Sequence, residues 1–342
     1  MKEALHYSSE NGTVVCRLCP HGCTLPPAGE GKCRVRKNVD GVLLSANYGV
    51  VSSLHLDPVE KKPLYHFYPG SHILSIGTLG CNFQCVFCQN WSISQESPLD
   101  SPGPGKFLKM SPQEVVELAL KGRESGNIGI AYTYNEPTIW FEFVLETAAL
   151  AKEKGLLNVL VTNGFIREEP LKQLLPFISA MNIDIKSMKE EFYNRHCGGR
   201  LRPVLKAARL ASQACLVEIT NLIIPTLNDS TAEFEALAEW ILNNLGADTP
   251  LHFSRYYPQY QAQIPPTGIK TLRDAYEAAI RKLHYVYVGN VREDTWNNTA
   301  CPSCGRAVIT RSGFEITGYH LTPEHKCRDC GREIHLAGGY AG

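Results

Sequence analysis

HILSIGTLGCNFQCVFCQN, residues 72 to 90, joins an apolar, strand-like run to a loop carrying three thiols, Cys81, Cys85 and Cys88, spaced Cys-x3-Cys-x2-Cys. Thiolates are the usual protein ligands of a four-iron, four-sulfur cube, and the cube takes four of them. A loop that offers three leaves one iron open, and an open iron can do chemistry. The competing reading is a zinc loop that borrows a fourth ligand from elsewhere. Three cysteines at this spacing, after a strand and a glycine, fit the cube better.

Outward from this loop, strand-like and helix-like segments alternate. NIGIAYTY, NVLVTNG, MNIDIK, LVEITNLIIP and LHFSRYYP follow HILSIGT, with stretches of helical character between them. That alternation is the pattern of βα units with a parallel sheet. Ser111, followed by Pro112 and Glu114, and Ser230, followed by Glu233, have the form of capping boxes at helix starts. Six units fall short of the eight of a closed TIM barrel. The expected fold is therefore α/β, a partial (β/α)6 TIM-like barrel over residues 66–290 with its active site at the carboxyl ends of the strands.

Both flanks of the barrel are rich in cysteine. Residues 1–65 carry CRLCPHGC and GEGKC, and Cys16, Cys19, Cys23 and Cys33 predict a small metal-tied cap, holding either zinc or a second iron–sulfur cluster, with His21 as an alternative ligand. The run EKKPLYHFYPGS, 60–71, reads as an ordered connector. SQESPLDSPGPGK, 94–106, reads as a loop rich in proline, glycine and serine. Residues 291–342 contain CPSC and CRDC, and two such knuckles separated by 22 residues match a zinc ribbon with Cys301, Cys304, Cys327 and Cys330 as ligands. A hairpin is expected between the knuckles, around Arg311-Ser312-Gly313. Ribbons also touch partners or nucleic acid, and neither use is excluded.

Eleven of the thirteen cysteines fall in these three groups, which argues for metal binding in a reducing compartment rather than a disulfide scaffold. A net charge of zero gives no field-level argument for nucleic acid or anionic membrane. The amino terminus lacks a signal-like apolar core, and no apolar run approaches the roughly 20 residues of a membrane helix, so the expected location is cytoplasmic. The chain has no phosphate-binding Gly-rich loop ending in Lys-Ser/Thr and no dinucleotide fingerprint. Glu142 and Glu146, four apart on a helix, read as a solvated face. Cys197 reads as a packed thiol, or as one acting on substrate, and Cys215 as core.

The strings CRLCPHGC, VSSLHLDPVEKKPLYHFYPGS, SIGTLGCNFQCVFCQNW, YTYNEPT, VTNGF, NIDIKSM and RHCGG resemble the AmmeMemoRadiSam system radical enzymes. That family is similar to the pyruvate formate-lyase activating enzymes of the radical S-adenosylmethionine superfamily. The resemblance implies a [4Fe-4S] cluster on Cys81, Cys85 and Cys88, with Phe87 as the aromatic residue before the last ligand. S-adenosylmethionine would chelate the open iron and be split reductively, giving a 5′-deoxyadenosyl radical that abstracts hydrogen from a substrate. Glu136 stands where relatives have the last residue of a Gly-Gly-Glu turn that meets the methionine amino group. Its predecessors Tyr134 and Asn135 depart from the two glycines. Thr162, Asn163, Asp184 and Lys186 match positions near the cofactor, and Asn221, His252 and Arg255 could face the same mouth. The implied partners are a flavodoxin or ferredoxin as electron donor and a protein substrate or AmmeMemo-type associates. The substrate is either a backbone glycine of a partner, as in glycyl radical enzyme activation, or a small molecule or RNA nucleotide. Readings of another class are a zinc and iron–sulfur scaffold and a one-electron carrier.

Overall fold

Eight strands form one sheet in the computed structural model, which describes residues 1–99, 107–291 and 295–341. In chain order they are β1 (Ser53–Pro58), β2 (His72–Gly77), β3 (Asn127–Tyr132), β4 (Leu157–Thr162), β5 (Ala180–Asp184), β6 (Leu216–Ile223), β7 (Leu251–Arg255) and β8 (Val286–Gly289). Their order in space is their order in the chain. Strands β2 to β8 are parallel, and β1 lies antiparallel along β2. Six helices make the crossovers: α1 (Pro112–Lys121), α2 (Phe141–Glu153), α3 (Glu168–Leu174), α4 (Leu201–Ala211), α5 (Thr231–Asn244) and α6 (Ile269–Ile280).

The six expected strands are β2 to β7, in an α/β fold with a parallel sheet. The sheet also takes in two edges that the pattern did not reveal. β8 is only four residues long, and β1 has a polar, half-exposed sequence, SLHLDP. By pairing along β2, β1 covers an edge that would otherwise offer unpaired backbone groups. The sheet thus reaches back across residue 65. Most of the expected 94–106 loop lies outside the described residues.

The box at Ser111 is complete: its hydroxyl accepts from Glu114 N at 3.2 Å and its own N–H donates to the Glu114 carboxylate at 2.7 Å. The second box is only half formed. Ser230 accepts from Glu233 N, but the Glu233 carboxylate accepts from Ser187 Oγ and Met188 N at 2.9 and 3.0 Å, tying α5 to the loop after β5.

The 60–71 connector fills the inside of the curved sheet. Val59, Leu64 and Phe67 pack with Ile73, Ala131, Val159 and Ala180, the small and branched inner residues of β2 to β5. Its backbone polar groups are met within the barrel. Asn182 Nδ2 donates to Pro63 O at 2.8 Å, and the buried Glu218 carboxylate on β6 accepts from the N–H groups of Tyr65 and His66 at 3.0 and 2.8 Å. Glu218 also bonds His252 Nε2 at 2.6 Å. The carboxyl-terminal module docks on the same segment. Arg311 donates to Tyr65 O at 2.9 Å and sits 4.3 Å from the Tyr65 ring centre, while Ala337 N donates to His66 O. The expected hairpin is present as Ala307–Ser312 paired with Glu315–Tyr319.

His66 is fully buried, with Nδ1 facing His335 O at 2.6 Å and Nε2 facing Tyr287 Oη at 2.7 Å. Burial pushes its pKa down to about 4. The folded protein then binds fewer protons than the unfolded chain between about pH 6.5 and 4, so this contribution to stability is present above 6.5 and is lost as pH falls through that window. Urea melts of the wild type should lose about 3 kcal/mol over this range, and His66→Gln should flatten that slope; an unchanged slope would refute the assignment.

The amino-terminal cap is built of two three-stranded antiparallel sheets, and its apolar core runs on into the barrel's. Where the cap meets α2, Arg36 Nη2 donates to both oxygens of Glu142 at 2.9 and 2.8 Å, with both side chains almost fully buried. The solvated face expected at Glu142 and Glu146 is therefore corrected: Glu142 is inside, and Glu146 binds Lys2 and Tyr48. Arg36→Gln would leave a buried carboxylate uncompensated, and thermal or urea denaturation should register a loss of about 3–5 kcal/mol.

Candidate active site

The cysteine loop leaves β2 through Gly80, whose φ of +84° and close approach to Cys33 O, 2.5 Å from where a Cβ would stand, admit no side chain. Gly80→Ala should therefore cost about 1–3 kcal/mol and displace the loop, visible as lowered thermal stability. Beyond it the loop is pinned by its own backbone. Gln84 N donates to Cys197 O at 2.8 Å, Val86 N to His196 O at 3.1 Å, and Gln261 N to Val86 O at 3.0 Å. Phe83 is buried against Phe165 and beneath Gly199, where an added Cβ would fall 2.2 Å from its ring.

Cys81, Cys85 and Cys88 form one wall of a cavity of about 430 Å³ at the carboxyl ends of the strands. Phe87 lines it beside them. The opposite walls come from successive strand ends: Thr133 to Glu136 after β3, Val161 to Asn163 at the end of β4, Asp184 and Lys186 at β5, Thr220 and Leu222 on β6, and Ser254 on β7. Lys61, Lys62 and Pro63 of the connector close the inner side. A groove of about 630 Å³ outside the barrel, between α3 and α4, contains no thiol and none of these strand ends.

The thiols sit among hydrogen-bond donors. Cys81 Sγ accepts from Phe83 N at 3.3 Å and lies 3.7 Å from Asn163 Nδ2. A hydrogen bond from Cys197, helped by the nearby Lys186 charge, pulls the Cys85 thiol down, whereas burial pushes Cys81 up. Burial opposes a charged Lys186, yet Asp184 at 2.9 Å and the thiols of Cys85 and Cys197 hold its pKa well above the ordinary lysine value. The three thiols share a wall without closing to the 4.8 Å mutual spacing that the carboxyl-terminal cysteines reach. A group with one iron per thiolate fits such a wide set, as a single ion does not.

Glu136 is buried and holds the turn after β3 together. Its Oε1 accepts from Thr138 N at 2.9 Å and Thr162 Oγ1 at 2.7 Å, and its Oε2 accepts from Asn163 N at 2.8 Å. Burial raises its pKa despite these donors. Tyr134 takes the left-handed conformation, φ +70°, that a glycine would supply at no cost.

The cavity thus brings together Cys81, Cys85, Cys88, Phe87, Glu136, Thr162, Asn163, Asp184 and Lys186. Asn221, His252 and Arg255 lie outside its lining, and strand alternation explains why. Thr220 and Leu222 point inward, so Asn221 points out and donates to Ile185 O at 2.8 Å. Ser254 lines the cavity, while His252, one pleat deeper, belongs to the Glu218 network. Arg255 faces away and donates to Thr267 O at 2.9 Å. Lys61 and Lys62 were missed because the connector read as a link rather than as part of the barrel interior.

In the carboxyl-terminal module, Cys301 and Cys330 sulfurs are 3.5 Å apart and those of Cys304 and Cys327 3.7 Å apart, with all four inside 4.8 Å. A tetrahedral zinc ion about 2.3 Å from each sulfur needs sulfurs about 3.8 Å apart. Against burial, the backbone N–H groups of Cys304 and Ser303 draw the Cys301 thiol down, while hydrogen bonds within the quartet push its partners Cys304 and Cys330 up. Among the described residues no helix is long and apolar enough to cross a membrane.

Comparison with known proteins agrees with this geometry. The sequence profile of the Radical SAM superfamily matches residues 75–241. The chain is 43% identical to an uncharacterized protein of Methanocaldococcus jannaschii, covering 98% of this chain and 99% of that one. It is 26% identical to the pyruvate formate-lyase 1-activating enzyme of Escherichia coli over 47% of this chain and 65% of that enzyme. A radical SAM methyltransferase from Sphaerobacter thermophilus shares the fold, with a TM-score of 0.51 at 16% identity over 65% of this chain and 67% of that one. From the thiol wall, the polar strand ends facing it and these matches together, the chain belongs to the radical SAM superfamily of enzymes.

Proposed function

We propose that the chain uses a [4Fe-4S] cluster on Cys81, Cys85 and Cys88 to cleave S-adenosylmethionine and abstract hydrogen from a substrate in the same cavity. The carrying observation is that three thiols, and no fourth from their own loop, face the polar ends of β3 to β7 across one cavity. When bound, the cluster and S-adenosylmethionine supply a one-electron cleavage that yields the 5′-deoxyadenosyl radical. The chain supplies position. Glu136 lines the cavity with a carboxylate, the group suited to a charge-assisted bond from an ammonium. Asp184 and Lys186 present one charge of each sign beside the thiols. Phe87, Val161 and Leu222 give apolar walls that keep water from a reactive carbon radical.

The similarity to an enzyme named for activating pyruvate formate-lyase supports a backbone glycine of a partner protein as the hydrogen donor. A glycyl radical on a candidate partner would give a doublet by electron paramagnetic resonance. A second reading is a small molecule or RNA nucleotide; Lys61 and Lys62 in the cavity wall lend it little, because both are ion-paired with Asp57, at 2.8 and 2.6 Å. Turnover of such a molecule would leave no protein radical. For the carboxyl-terminal quartet the proposed metal is zinc. Glu136→Gln removes the charge and sets an amide NH2 against one of the N–H groups that the carboxylate accepts, so it should weaken S-adenosylmethionine binding about tenfold by calorimetry, with the melting temperature measured beside it to separate binding from loss of the turn; unchanged affinity would remove Glu136 from the site.

A further inference from the structure

We infer that Cys16, Cys19, Cys23 and Cys33 hold a second iron–sulfur cluster, set against the loop of the first. The four thiols converge from separate turns of the cap. Cys16 ends a strand, the backbone pairs Cys16 N with Cys23 O at 2.9 Å, and Cys33 follows the Gly-Glu-Gly turn. With His21, Arg36 and Ile139 they enclose one small cavity.

Spacing argues against a single ion. Among the described residues only Cys301, Cys304, Cys327 and Cys330 gather three or more ligand atoms within 4.8 Å of one another. The two cysteine quartets of this chain therefore differ in kind: one is closed to zinc geometry, and the other is held wider. A cluster puts each thiolate on its own metal and needs that width.

Charge argues for an anionic occupant. Arg36 is almost fully buried and spends Nη2 on Glu142, but its Nε and Nη1 have no hydrogen-bond partner. Leaving buried N–H groups unpaired is costly, and more so on a charged group. The sulfides and thiolates of a cluster are negatively charged hydrogen-bond acceptors, and Arg36 lies close enough to Cys16 and Cys33 for its charge to bear on both thiols. His21 is engaged elsewhere, with Nε2 at 2.7 Å from Asn82 O, so the ring is a tie to the central loop while the thiols serve as ligands. The cap therefore meets the active-site loop through Cys33 against Gly80 and through His21 on Asn82, both next to Cys81.

The test uses anaerobically prepared full-length protein, with iron, zinc and acid-labile sulfide counts and Mössbauer spectra with and without S-adenosylmethionine. With Cys81, Cys85 and Cys88 all changed to Ala, iron and sulfide should remain in equal amounts, with a spectrum that S-adenosylmethionine does not alter. Adding Cys19→Ala and Cys33→Ala should remove them. Two zinc ions per chain without sulfide, or an empty quartet, would overturn the proposal. Should the triple variant not fold, the wild type decides: iron and sulfide should each approach about eight per chain, and about four of each would refute the second cluster. An insensitive cluster in protein that makes no 5′-deoxyadenosine would sink the radical reading alone.

Discussion

Changing Cys85 to Ala is expected to abolish 5′-deoxyadenosine formation and to remove the fraction of iron that responds to S-adenosylmethionine. Each thiolate of the loop would hold a separate iron, so two remaining ligands do not retain a cube that already has one iron open. Cys85 is the most consequential of the three positions. It is buried, and the Cys197 hydrogen bond and the nearby Lys186 draw its thiol down against that burial. Product should fall to the level of a no-enzyme control in an anaerobic assay with dithionite, while zinc content and far-ultraviolet circular dichroism stay as in wild type. Retained turnover would mean that another residue, with Cys197 the nearest thiol, serves as ligand.

Stripping the metal from the carboxyl-terminal quartet should produce the largest structural effect. Structural zinc contributes about 10–16 kcal/mol of apparent binding free energy in isolated finger peptides, and a module of this size has little core to replace it. The module's buried residues are few: Val308, Ile309, Leu321 and Ile334, together with Tyr65, Tyr285 and Tyr287 from the connector and barrel. Its loss would expose Arg311, which pairs with Tyr65 O, and free His66 from His335. The damage should therefore spread into the barrel interior. Cys327→Ala, or a strong chelator, should release one zinc per chain, lower the melting temperature and change the near-ultraviolet signal of the tyrosines. A melting curve that does not move would show that the module is an independent appendage.

Much of this site was legible in the sequence because cysteine spacing and strand alternation are local properties. The three-thiol loop, six strands and the ribbon knuckles can each be read within a few tens of residues. What escaped depends on phase and on distant pairing. Asn221 sits one residue out of phase with the inward-facing Thr220 and Leu222, a difference that reverses the side chain, and His252 shares the face of Ser254 but lies one pleat deeper. The Arg36–Glu142 pair joins residues 106 positions apart, so an i, i+4 reading of Glu142 with Glu146 could not find it. The connector was harder still. Its prolines and aromatics look like a linker, but Leu64, Tyr65 and Phe67 are buried because the open sheet needs a plug.

The most direct measurement is anaerobic reconstitution of the wild-type chain with iron and sulfide, followed by S-adenosylmethionine and dithionite. The expected products are 5′-deoxyadenosine and methionine in equal amounts, absent when Cys81, Cys85 and Cys88 are changed to Ala. An intact cluster on those three cysteines that binds or ignores S-adenosylmethionine without cleaving it would contradict the assignment of radical chemistry to this cavity.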